Sequence, residues 1–188
     1  MCSRNGQDES TGPSDESLML ACRGGDLRSF EQLVLRYQTT AWGAAFRFSG
    51  DATEAEDVAQ DAFLRIFEAA PRYQATAKFR TYLLGVVGRL CIDRAEKKRP
   101  IYVGELPETA DVRETPINVA TATESRLAVQ NALARLPGNQ RIAVILKYYE
   151  GLSYEDIATA METTPKAVER LLARARESLE VSLRPLLD

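Results

Sequence analysis

The chain has 188 residues, 45% of them hydrophobic and 27% charged, with a formal net charge of -3, a composition for one ordinary globular domain or two small ones. No run approaches the roughly 18 to 20 consecutive apolar residues that span a bilayer, and the opening "MCSRNGQDESTGPSDES" lacks the apolar core of a secretion signal, so a cytoplasmic protein without membrane insertion is expected. There is no histidine, which removes the commonest neutral-pH acid/base and the commonest metal ligand, and Cys2, Cys22 and Cys91 are too scattered for a disulfide framework or a metal knuckle. An enzyme is the less expected class on these grounds.

Apolar residues recur at helical spacing almost throughout, and no sustained alternation suggests a sheet, so the fold class reads as all-α. After a polar leader over 1–15, Asp26 is placed to cap a long helix with Phe30, Leu33, Val34, Tyr37, Ala41, Ala44 and Phe48 facing inward, ending near Ser49-Gly50. Thr53 and Glu56 have the spacing of a capping box for a second helix, closed by Pro71. A third begins near Ala77 and carries Phe79, Tyr82, Leu83, Val86 and Leu90 on one face. The segment 100–123, rich in proline, threonine and acid, has no helical period and reads as a flexible acidic linker. Beyond it come a helix to about Leu136, the turn "PGN", a helix with Ile142, Ile145, Leu146 and Tyr149, and the stop residue Gly151. Two small helical domains, 16–99 and 124–188, are therefore expected on either side of the linker.

The stretch "LSYEDIATAMETTPKAVERLLARARESL" has finer structure. Ser153 and Asp156 form a capping box for a short helix with Tyr154, Ile157, Ala158 and Met161 inward. After a turn at Glu162-Thr163, Thr164 is an N-cap and Pro165 the first residue of a second helix. Val168, Leu171, Leu172, Ala175 and Leu179 make its apolar arc, while Lys166, Arg170 and Arg174 lie opposite and Arg176 falls on another edge. Four cations face the single anion Glu169 between Thr164 and Arg176, the charge of a helix-turn-helix whose second helix enters a DNA major groove. Phosphate attraction decays over about 8 Å at physiological salt, so a local basic face binds DNA within an acidic chain.

Two more charge patterns lie upstream. Between Arg72 and Arg99 eight cations outnumber Asp93 and Glu96, interleaved with Tyr73, Phe79 and Tyr82. Phosphate neutralisation beside aromatic platforms suits single-stranded DNA, although Phe79 and Tyr82 also fit the helix's apolar face, and Tyr73, ahead of the helix, is the freer ring. In "DATEAEDVAQDAFLRIFEAA", Glu54, Asp57, Asp61 and Leu64 share one face with Gln60 beside them. Three readings stay open: a solvated face, a docking stripe for a basic partner, or a metal site, the last weakened because helical di-iron sites need histidines.

Taken together, "GDLRSFEQLVLRY", "AEDVAQDAFLRIFEAAPRY", "KFRTYLLGVVGRLCIDRAEKKR" and "ALARLPGNQRIAVILKYYEGLSYEDIATAMETTPKAVERLLARARESL" occur in that order, and the chain resembles the small extracytoplasmic-function sigma factors of bacterial RNA polymerase. The resemblance implies a first domain over 16–99 (region 2) that docks on core RNA polymerase and melts the minus-ten element. It implies a second over 124–188 (region 4) that reads the minus-thirty-five element. On that likeness Asp57, Gln60, Asp61 and Leu64 become contacts to a coiled coil of the largest polymerase subunit. Tyr73, Lys78, Phe79, Arg80, Arg89, Arg94, Lys97 and Lys98 become minus-ten DNA contacts, and Lys166, Glu169, Arg170 and Arg174 minus-thirty-five contacts. Partners implied are core RNA polymerase, promoter DNA and an anti-sigma factor; no catalytic residue, cofactor or metal is implied, the nucleotide chemistry being the core enzyme's, and the linker acids Glu105, Glu108, Asp111 and Glu114 are expected to mimic a transcript. The chain departs from the family pattern at Arg89, often asparagine, at Tyr82, often tryptophan, and at Glu162, often glycine. Gly85 and Gly88 cost a helix about 1 kcal/mol each relative to alanine, which calls for close packing or a close approach to DNA. Rival readings are an autonomous helix-turn-helix regulator and a metal-dependent enzyme built on Glu54, Asp57 and Asp61.

Overall fold

The structure, a computed structural model, describes residues 12–98 and 120–184; most of the expected linker and most of the expected leader lie outside the described residues, and residues 120–123, expected as the end of the linker, instead begin a helix. Eight α-helices follow in order among the described residues: α1 (Asp15–Arg23), α2 (Leu27–Ser49), α3 (Ala52–Ala69), α4 (Phe79–Lys98), α5 (Ala120–Ala134), α6 (Gly138–Val144), α7 (Tyr154–Ala160) and α8 (Pro165–Leu183). A 3-10 turn, Ala70–Arg72, follows α3, and a π-helical turn, Ile145–Tyr149, extends α6. No strand occurs among the described residues. The all-helical reading holds, with α1 as a helix the periodicity did not announce.

Local signals fix most boundaries. Asp26 caps α2, its Oδ1 accepting from the Arg28 and Ser29 N–H groups at 3.0 and 3.4 Å. Gly50, at φ 74°, closes α2 by donating to the Phe46 carbonyl at 2.8 Å. That turn is so tight that the next residue is already a cap: Asp51 accepts from the Glu54 N–H at 2.8 Å. The Thr53–Glu56 box is therefore not the cap of α3, because Thr53 already lies inside the helix. The downstream caps stand as read. Ser153 Oγ accepts from the Asp156 N–H at 3.0 Å, and Thr164 Oγ1 accepts from the Ala167 N–H at 3.2 Å ahead of Pro165. Gly151 ends the π-helical turn at φ 67°.

Helix α4 is the axis of the molecule. The single apolar face read from its sequence packs on α2 and α3, but Leu84, Gly85, Val87, Gly88 and Cys91 are buried as well. The reason is that α6 and α7 cover the other side of α4, so the helix is enclosed almost all round and one contiguous core runs from Leu18 to Ala175. The two glycines are explained by this packing. A Cβ on Gly85 would lie 2.7 Å from the carbonyl oxygen of Ala160, and one on Gly88 would lie 3.0 Å from Ile142 Cγ1. Close helix approach compensates what glycine costs α4. Its N-terminus is capped from a distance, Glu16 Oε1 on α1 accepting from the Phe79 N–H at 3.0 Å.

Candidate nucleic-acid interface

The second helix of the helix-turn-helix presents one clean face. Val168, Leu172 and Ala175 are buried against α6 and α7, which leaves Lys166, Glu169, Arg170 and Arg174 all exposed on the outward arc. Arg176 leaves that group: its Nε donates to the Tyr148 hydroxyl at 2.9 Å, pinning α8 to the π-helical turn. The outward face thus offers three cations and one carboxylate at helical spacing, a set able to meet phosphates and base edges.

The cations of α4 are dispersed. Lys78 and Lys97 are exposed, while Arg80 donates to the Glu150 carbonyl at 2.8 Å and to its Oε2 at 2.7 Å. Glu150 also meets Arg47 at 3.4 Å, so a nearly buried carboxylate is held by two arginines. Arg89 pairs with Glu162, and Lys98 with Glu54 at 2.7 Å. Arg94 turns back onto α3, where it pairs with Asp61 and lies 3.7 Å from Asp57. The aromatics correct the sequence reading. Phe79 is fully buried, and Tyr73, expected to be free, is 6% exposed with its ring against Tyr82. Its hydroxyl has no hydrogen-bond partner among the described residues, and burial, reinforced by the Glu16 charge, raises its pKa. Both rings belong to the core because the chain reverses between α3 and α4 and needs apolar filling there. A cavity of about 290 Å³ adjoins Tyr73 and Tyr82, with Gln74, Thr76 and Arg89 on its wall.

On α3 the stripe forms as spaced. Asp57, Gln60 and Leu64 are exposed and Asp61 is partly so, and Leu64 is 59% exposed although large and apolar. A groove of about 460 Å³ between α2 and α3, lined by Val34, Trp42, Gln60 and Phe63 among others, runs beside it. Glu54, Asp57 and Asp61 are thus drawn into ion pairs with Lys98 and Arg94, the arrangement of a charged surface network and not of a metal cage. Among the described residues no group of three His, Cys, Asp or Glu side chains is placed to hold a metal, and no helix is long and apolar enough to cross a membrane. Sequence reasoning missed Arg47, Glu150 and Glu16, whose partners lie 63 or more residues away, so no local spacing announces them.

The family profile described as Sigma-70 region 2 matches residues 33–101, and that described as Sigma-70, region 4 matches residues 126–179. The RNA polymerase sigma-H factor of Pseudomonas aeruginosa is 34% identical, over 94% of this chain and 97% of its own length. The chain belongs to the extracytoplasmic-function sigma factors. It binds core RNA polymerase and directs transcription initiation at promoters, as sigma factors do. Similar sigma factors include SigW of Bacillus subtilis, 29% identical over 86% of this chain and 92% of that one, and sigma-E of Escherichia coli K12, 29% identical over 93% and 96%. The fold recurs in the solved structure of CnrH with the cytosolic domain of CnrY, at TM-score 0.71, 24% identity and coverage of 92% of this chain and 99% of that one. It also recurs in the sigma factor RpoE bound to the anti-sigma factor NepR from Bartonella quintana, at TM-score 0.61, 19% identity and coverage of 84% and 98%.

Proposed function

We propose that this sigma factor divides its work between residues 16–99, which hold polymerase and the minus-ten strand, and 124–188, which read the minus-thirty-five element. The observation that carries the docking assignment is Leu64, a large apolar side chain standing exposed beside Asp57, Gln60 and Asp61 on α3. Such a residue ringed by polar groups marks a protein contact, and a basic coiled coil of the largest polymerase subunit fits its charge. The outward face of α8, with Lys166, Glu169, Arg170 and Arg174, lies in the major groove of the upstream element. Arg170 and Lys166 suit guanine edges or phosphates, and Glu169 accepts from a cytosine amine.

Lys78, Arg80, Arg89, Arg94, Lys97 and Lys98 neutralise phosphates of the opened strand, those now paired changing partners when it arrives. Phe79 and Tyr73 act by shaping the chain reversal beside the strand. Core polymerase supplies the nucleotide chemistry, so the chain has no catalytic residue of its own, and it works in the cytoplasm. An anti-sigma factor that covers the α3 face is its regulator, a reading supported by the RpoE–NepR complex of like fold.

Co-elution with bacterial core RNA polymerase tests the docking face. The wild type joins core, and an Asp57→Arg, Asp61→Arg double variant with unchanged helical content does not. Equal co-elution of both proteins would remove the α3 stripe from the interface.

A further inference from the structure

The region 2 profile begins at residue 33, so α1 stands ahead of the segment it matches. The helix is nevertheless fastened to the elements that flank the minus-ten residues. Leu18, Met19 and Cys22 are buried, and α1 packs on α2, on α4 and on the 3-10 turn Ala70–Arg72. Asp15 ties its start to α2, Oδ1 accepting from Arg36 Nη1 at 2.8 Å and Oδ2 from the Tyr37 hydroxyl. The Tyr37 ring in turn lies 5.3 Å, centre to centre, from that of Phe79. Glu16, the next residue, reaches the backbone of the same Phe79, Oε1 accepting from its N–H across 63 residues of sequence.

Phe79 is the first residue of α4, and ahead of it stands Lys78, whose ammonium donates and cannot accept. The orphan N–H at this helix start therefore depends on an acceptor brought from elsewhere, and a carboxylate also suits the positive end of the helix dipole. One helix thus holds the reversal 73–78 at both ends: the 3-10 turn leading into it rests on α1, and Glu16 closes its exit. Between those ends Gln74, Ala75, Thr76 and Lys78 are exposed, while Tyr73 and Phe79 are buried anchors. The Tyr73 hydroxyl, raised in pKa first by burial and next by the Glu16 charge, places the same carboxylate near the entry of the reversal.

We propose that Glu16 is a positioning residue for the minus-ten strand: by closing α4 at Phe79 it holds the reversal 73–78 in the shape that presents Lys78 and the exposed loop to opened DNA. This role rests on the reading of α4 and its approach as strand-holding; the brace itself does not. Glu16 acts through Phe79, its half-buried carboxylate being turned to a backbone donor. Without that contact the Phe79 ring still anchors α4 in the core, and the first turn and the loop ahead of it gain freedom. A loop ordered in advance loses less entropy when the strand arrives.

The full chain, and the holoenzyme it forms with core RNA polymerase on a promoter duplex selected from a random pool by the wild type, test the role. Glu16→Ala speeds amide hydrogen exchange in peptides covering 73–80 of the free chain and lowers permanganate reactivity of the opened promoter strand several-fold. Co-elution with core, and holoenzyme affinity for the upstream half of that duplex, stay at wild-type levels, which a general loss of structure would not allow. Glu16→Gln keeps an accepting oxygen and restores both readouts. Should Glu16→Ala lose helix by circular dichroism, Glu16→Asp replaces it, keeping the charge and shortening the reach. Unchanged exchange overturns the brace, and a glutamine variant as impaired as the alanine one overturns the hydrogen bond as its means. Faster exchange with full strand opening, while Lys78→Ala opens less, overturns the positioning role. Full opening by Lys78→Ala as well overturns the strand-holding reading and leaves the brace standing.

Discussion

Arg94 on α4 donates to Asp61 on α3, so a residue expected to hold DNA is bound to one expected to hold polymerase. The pair is partly exposed on both sides, a setting in which ion pairs contribute about 1 kcal/mol or less. Arg94→Ala should therefore lower stability by no more than that amount in denaturant titration. It also uncovers the Asp57 and Asp61 carboxylates, so co-elution with core polymerase is retained, in contrast to the Asp57→Arg, Asp61→Arg variant.

The two buried rings separate fold from function. Phe79 is fully buried, and Phe79→Ala should cost about 3–5 kcal/mol, the range for a large aromatic removed from a core. Tyr73→Phe removes a buried hydroxyl that has no partner among the described residues, so stability stays level or rises by about 1 kcal/mol, part of the cost of an unsatisfied polar group. Urea unfolding of both variants checks the contrast, and a clear loss for Tyr73→Phe would mean that the hydroxyl is bonded.

Asp26 gives a pH dependence with a definite sign. The Ser29 hydroxyl donates to its Oδ2 at 2.7 Å and the Ser29 N–H to Oδ1, which lower its pKa below the usual aspartate value of 3.8. The folded state thus favours the carboxylate, and this contribution is full above the unfolded value and lost as pH falls through the folded one. The stability difference between wild type and Asp26→Asn should be constant near neutrality and vanish in acid. Thermal melts from pH 7 down to about pH 2, a range that runs well below the unfolded value, measure it.

The outward face of α8 should show in salt dependence. Each of Lys166→Ala, Arg170→Ala and Arg174→Ala that removes a phosphate contact makes the slope of log affinity against log salt shallower by about 0.9. A duplex selected from a random pool by the holoenzyme is the probe. A variant that alters base preference at one position without altering the slope marks a base contact.

Burial makes the thiols slow. Cys91 is pushed up to about 12 by burial, with the Glu54 charge adding, and Cys22 is raised for the same first reason. Alkylation of both by iodoacetamide at pH 8 should be slow in the native protein and fast in guanidinium, as read by mass spectrometry of the modified peptides.

Local chemistry alone determined the helical class, the caps at Asp26, Ser153 and Thr164, the glycine stops and the basic outward arc of α8. These depend on contacts within a turn or two of helix, where spacing in sequence is spacing in space. The cap of α3 was misread by two residues because Gly50 tightens the turn ahead of it. Only the tertiary structure decided which cations are paired and which rings are open, because Arg80, Arg89 and Arg94 find their carboxylates 33 to 73 residues away. The enclosure of α4 was likewise invisible: its apolar periodicity marks the face toward α2 and α3, while the glycines that admit α6 and α7 carry no hydrophobic signal of their own.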